Sequence, residues 1–150
     1  MIILDILAFL LIWICSFILH EYMHALEYRR QGGHGYHINL VVNYLWRIPI
    51  PGMTITTDDD IPHRTMYLLS GGLYTSILHL FAVILYILSF GFQHTIVLFS
   101  LISIGVTQWF YGYHEQLFLD YLDRSDYHIS RYCLYVVVVG VCGWFWYVKI

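Results

Sequence analysis

The chain has 150 residues, of which 59% are hydrophobic and 11% charged, with a formal net charge of −3. Soluble domains carry about 25% charged residues, so this composition excludes an ordinary water-soluble domain and points to a membrane protein. The length fits one domain over residues 1–150, and the acidic balance leaves no basic surface for nucleic acid.

A bilayer-spanning helix needs about 20 mostly apolar residues. The first such run extends from Ile2 to about Leu26. No Lys or Arg precedes it, Asp5 is acidic, and its unbroken apolar stretch runs into His20-Glu21 instead of a small-residue cleavage site, so it reads as a retained span and not a secretory signal. Gln31-Gly32-Gly33 closes it. Between about 31 and 63, the segments His37 to Val42 and Met53 to Thr57 are rich in β-branched residues and are punctuated by Pro49, Pro51 and Gly52, which predicts a short strand pair. Further apolar runs follow at about Met66 to Phe92, Thr95 to about Phe118, and about Tyr132 to Val148. The expected fold class is an all-α integral membrane protein with about four transmembrane helices and a small β-rich loop between helices one and two. Three cysteines lie in apolar runs with no Cys-x-x-Cys pair, so no disulfide framework is expected.

Loop charges give a direction. Arg29, Arg30, Arg47 and Arg64 flank or occupy the first loop, Arg124 and Arg131 the third, and residues 91–94 carry no fixed charge. The positive-inside rule then places both Arg-bearing loops in the cytoplasm and both termini outside.

His20-Glu21-Tyr22-Met23-His24 is an H-E-x-x-H sequence. On a helix, His20 and His24 are one turn apart on one face and can share a metal, with Glu21 beside them as a general base for an attacking water. Ionisable residues inside a membrane helix are expensive, which makes them functional by default. A catalytic zinc usually has three protein ligands. Span three runs parallel to span one, and its residues at the depth of the histidines are about Tyr113 to Phe118, which include His114 and Glu115; Asp120 lies about one turn further on. Glu115 and Asp120 are about 140° apart around a regular helix, so one of them, not both, can face the metal. Depth favours Glu115. Glu27 shares a face with His24, but three ligands along one straight helix do not close a tetrahedron. Gly71 and Gly72 begin span two on the side of the histidines, where missing side chains allow close helix approach or form a wall for substrate. Gln108 in span three is a candidate to orient a ligand or a substrate backbone. His79 is expected to hydrogen-bond a neighbouring helix; His34, His37, His63, His94 and His128 are expected in loops.

On these residues the sequence resembles the site-2 protease family of intramembrane metalloproteases. The resemblance rests on His20-Glu21-Tyr22-Met23-His24-Ala25 in an early span, the β-rich loop after it, and Ser70-Gly71-Gly72-Leu73-Tyr74-Thr75-Ser76 opening the next span. It implies Zn2+ as cofactor, a transmembrane protein substrate cut within or beside the lipid bilayer, Glu21 as the catalytic base, and an active site near the cytoplasmic side. The family's third ligand is an aspartate in a Leu-Asp-Gly sequence, which carries over to Asp120 after Leu119. Tyr121 stands where that glycine is expected, and Gly72 where a proline is. The chain looks like a minimal catalytic core, leaving regulation to a separate membrane partner or a second copy of itself. The alternative is a catalytically inactive relative that binds in the membrane without cleaving.

Overall fold

The computed structural model describes residues 2–45, 48–58, 60–92, 95–117, 133, 134 and 136–144. The elements run α1 (Ile2–Arg30), β1 (Tyr36–Leu45), β2 (Ile48–Thr57), α2 (Arg64–Phe90) and α3 (Thr95–Leu117). Residues 133, 134 and 136–144 are also helical, and Gly143 of that stretch lies against the Phe99 ring of α3. The rest of the expected fourth span lies outside the described residues. Three helical segments, Ile6–Arg30, Arg64–Phe90 and Ile96–Leu117, are long and apolar enough to cross a bilayer.

The three helices turn a polar seam inward and an apolar surface outward. Ile3, Leu7, Leu11, Ile14 and Ile18 of α1 are exposed, while Ser16, His20, His24 and Glu27 of the same helix are buried. This reverses the pattern of a soluble helix and is what lipid demands, because polar groups facing hydrocarbon would have no partner.

α1 stops where its sequence turns to glycine. Gly32, at φ +89°, follows the last helical turn; its amide donates to the Arg29 carbonyl (3.0 Å) and the Gly33 amide to the Tyr28 carbonyl (3.1 Å). This Schellman closure satisfies the terminal carbonyls. It also lets Gly33 sit on the buried Tyr28 ring, in space a Cβ would need.

The loop forms one antiparallel hairpin, longer than the expected strands. Tyr36 pairs with Thr57, and the register continues to Leu45 and Ile48. The prolines punctuate the sequence but not the ladder. The Asp58 amide donates to the Gly35 carbonyl, so by alternation Val42–Pro51 and Tyr44–Pro49 fall at positions whose amides point away from the partner strand. Proline is tolerated there. β2 packs against α1, and β1 touches that helix through Tyr36, whose ring lies under the Arg29 guanidinium at 5.1 Å.

α2 and α3 cross at glycine. A Cβ on Gly72 would strike Gly112 and the Gln108 carbonyl, and one on Gly112 would lie 2.8 Å from Gly72 Cα. Two turns away, a Cβ on Gly105 would lie 2.8 Å from His79 Cβ. The backbones therefore touch, which fixes the height of α3 against its neighbours. Gly112→Val overpacks this crossing and should lower stability by about 1–3 kcal/mol, read as earlier thermal unfolding in detergent. An unchanged midpoint would mean that the crossing does not set the packing.

Candidate metal centre

Along α1, Ser16, His20, His24 and Glu27 follow one another at spacings of four, four and three, and all are buried. Helical periodicity thus stacks both imidazoles on the inward stripe. Their Nε2 atoms stand 3.1 Å apart. α3 brings Glu115 to the same point: its Oε2 is 3.2 Å from His20 Nε2 and 3.4 Å from His24 Nε2. His20 is 0%, His24 5% and Glu115 8% exposed, so the cluster is closed to bulk water.

Neighbouring groups orient the imidazoles. His24 Nδ1 donates to the Tyr67 carbonyl at 2.6 Å. A carbonyl can only accept, so a proton sits on Nδ1, and in the neutral ring the Nε2 lone pair faces the cluster. The Tyr67 ring lies 4.9 Å from that of His24, and the Tyr111 ring 4.8 Å from that of His20. His20 Nδ1 is 2.8 Å from Gln108 Oε1, and Gln108 Nε2 donates to Ser16 Oγ at 2.8 Å.

The donor set fits a metal ion. In a tetrahedral site with bonds of about 2.0–2.1 Å, ligand atoms are separated by roughly 3.3–3.4 Å; the separations here are 3.1, 3.2 and 3.4 Å. Two imidazoles and one carboxylate are also the ligand class of catalytic zinc, which leaves a fourth position open. Gly71 supplies the space. A Cβ there would collide with His24 Nε2 and come within 2.7 Å of His20 Nε2. The bare Cα of α2 thus forms one wall of a cradle around the two lone pairs.

The structure joins His20, His24 and Glu115, and it puts Glu21 next to them in sequence, partly buried. Asp120 lies outside the described residues. Gly71 walls the cluster, whereas the contacts of Gly72 are with Gly112 and the Gln108 backbone of α3. Gln108 faces His20 with its side-chain amide. Glu27 faces away from metal duty: it accepts from Arg30 Nε and Nη2 at 2.8 Å each, from Gln31 at 2.9 Å and from the Tyr74 hydroxyl at 3.3 Å. His79 differs from expectation. Its Nδ1 donates to the Thr75 carbonyl of its own helix at 2.8 Å, because the close approach of Gly105 leaves its ring little room to reach across. His34, His37 and His63 are exposed, and His94 and His128 lie outside the described residues.

Ser16, Tyr67 and Tyr111 escaped the sequence reading. Ser16 carried a signal, one turn before His20 on the same stripe. The Tyr67 carbonyl carried none, since any residue has a carbonyl.

Fold and site together define a multi-pass helical architecture with a buried cluster of two histidines and one carboxylate capable of holding a metal. Comparison with family models, curated proteins and solved structures yields no match. Glu115→Ala and Gly71→Ala should each abolish zinc binding in protein that still folds, one by removing a ligand and the other by filling the cradle. Metal content by mass spectrometry, about one zinc per chain in wild type, checks both; full zinc occupancy in Gly71→Ala would contradict the cradle.

Proposed function

We propose that the chain is an intramembrane zinc metalloprotease that hydrolyses peptide bonds of transmembrane or membrane-proximal substrates. The observation that carries this reading is the convergence of His20 and His24 of α1 with Glu115 of α3 within 3.4 Å, with Glu21 following His20 on α1. Zinc held by these three atoms would polarise the scissile carbonyl and make a water nucleophilic at neutral pH. Glu21 takes a proton from the attacking water as the new C–O bond forms, then delivers it to the amide nitrogen as the C–N bond breaks. Burial of the cluster excludes bulk water, which strengthens each charge interaction during the reaction.

A transmembrane substrate hides its peptide bonds in helical hydrogen bonds and must be extended before attack. A sheet edge can hold an extended segment by strand addition. The outer edge of β2 lacks amide donors at Pro49 and Pro51, so it is a poor template. β1 offers the better edge, with outward amides at Ile38, Leu40 and Val42 by the alternation of the ladder. The positive-inside rule, applied to the Arg-bearing loops, favours the cytoplasmic side for this hairpin and for the histidine end of the bundle. Control by a regulatory membrane partner or by a second copy of the chain belongs to the same proposal.

Two variants test the reading against a transmembrane reporter in proteoliposomes. Glu21→Gln should keep its zinc and lose cleavage by about 10²–10⁴-fold; cleavage by wild type that survives in Glu21→Gln would assign the chemistry elsewhere, and no cleavage by wild type with zinc bound would favour an inactive membrane binding protein. Leu40→Pro removes an outward amide without breaking the hairpin, so it should impair cleavage at full zinc occupancy. Undiminished cleavage in Leu40→Pro would exclude β1 as the substrate edge.

A further inference from the structure

Gln108 and Ser16 are both fully buried, and neither donates an atom to the three-residue cluster. They form a chain that ends on it: Ser16 Oγ accepts from Gln108 Nε2 at 2.8 Å, and Gln108 Oε1 lies 2.8 Å from His20 Nδ1. The two histidines are thus oriented differently. His24 is fixed by a backbone carbonyl, which cannot change its role. His20 is fixed by a side-chain amide, which accepts at one end and donates at the other.

That difference matters because His20 has two ways to settle. With the proton on Nδ1, donated to Gln108 Oε1, Nε2 presents a lone pair to a metal. With the proton on Nε2, His20 would donate to Glu115 Oε2, 3.2 Å away. This second tautomer satisfies the carboxylate internally, and it occupies the metal-binding lone pair of His20 and one of Glu115 together. A metal must compete with it.

We infer that Gln108, held by Ser16, is a positioning residue that fixes the tautomer of His20, with the proton on Nδ1 and the Nε2 lone pair turned toward Glu115 and His24. This rests on the proposed metal site and adds how that site is kept open for metal. An uncharged acceptor is well suited here. A carboxylate would also accept from Nδ1–H, but would place a second negative charge in the same closed space as Glu115. The arrangement also makes α3 a single setting device. Gln108 and Glu115 are seven residues apart, two turns on one face, so one helix carries both a ligand and the group that prepares the opposing ligand. The glycine contact at Gly72–Gly112 lies between them and sets the height of both.

The test uses full-length protein in detergent, with zinc affinity measured by chelator competition at one fixed pH and the His20 tautomer read by ¹⁵N NMR of histidine-labelled protein. Gln108→Met keeps volume and removes the acceptor. It should weaken zinc by about 10–100-fold and, in metal-free protein, shift His20 toward the Nε2-protonated form. Ser16→Ala should act in the same direction more weakly. Gln108→Glu restores an acceptor and should bind zinc within about tenfold of wild type, which a role in packing alone would not predict. Zinc affinity of Gln108→Met within about threefold of wild type, with the His20 tautomer unchanged, overturns the inference while leaving the metal site intact. If Gln108→Met fails to fold, Ser16→Ala with wild-type affinity and tautomer overturns it equally. Absence of zinc binding in wild type would overturn the metal site itself, and this inference with it.

Discussion

Three atoms able to bear lone pairs, His20 Nε2, His24 Nε2 and Glu115 Oε2, are held within 3.4 Å of one another in the interior of an apolar helical bundle. Such a cluster is unfavourable by itself. Buried carboxylate and imidazole groups lose hydration, and like partial charges face each other. Either a proton shared with Glu115 or a cation resolves the conflict. Most of the described fold follows from assembling this point: the polar stripe of α1 turns inward, α2 presents a bare glycine to it, and α3 is pressed against α2 closely enough for Glu115 to arrive at the right height.

Glycine carries much of that work, through what it leaves out. At Gly71 the missing side chain is the space between the imidazoles and the neighbouring helix, and at Gly72 and Gly112 it is the contact distance between helices. In lipid, where association gains nothing from excluding water, close backbone packing is a principal source of attraction. The same few residues therefore serve stability and the site, and changes at them should be hard to separate into one effect or the other except by measuring metal and unfolding together.

Much of this was legible in the residues. H-E-x-x-H in a long apolar run gave two candidate ligand positions and their common face, and simple depth counting along parallel spans reached Glu115, which the structure brings to the histidines. The resemblance to site-2 proteases pointed instead to Asp120, which lies outside the described residues; among the described residues Glu115 is the carboxylate that meets both histidines. The hairpin was legible as two β-rich segments but came out longer, because prolines at 49 and 51 occupy ladder positions that need no amide donor. What sequence could not show was pairing between distant polar groups. Gln108 was visible as a polar residue in an apolar span, yet nothing local said that its partners would be His20 and Ser16, 88 and 92 residues away. His79 failed for a related reason: a helix as close as α3 leaves a side chain no gap to cross, and the nearest acceptor becomes its own backbone.

The most direct test of the central claim is X-ray absorption spectroscopy at the zinc edge on the purified, zinc-loaded protein. Coordination by two imidazoles with one carboxylate and a further light ligand, at about 2.0–2.1 Å, and loss of the carboxylate contribution in Glu115→Asn, are the predicted results. A first shell containing sulfur at about 2.3 Å, or a spectrum unchanged by Glu115→Asn and by His24→Ala, would contradict it and place the metal away from this cluster.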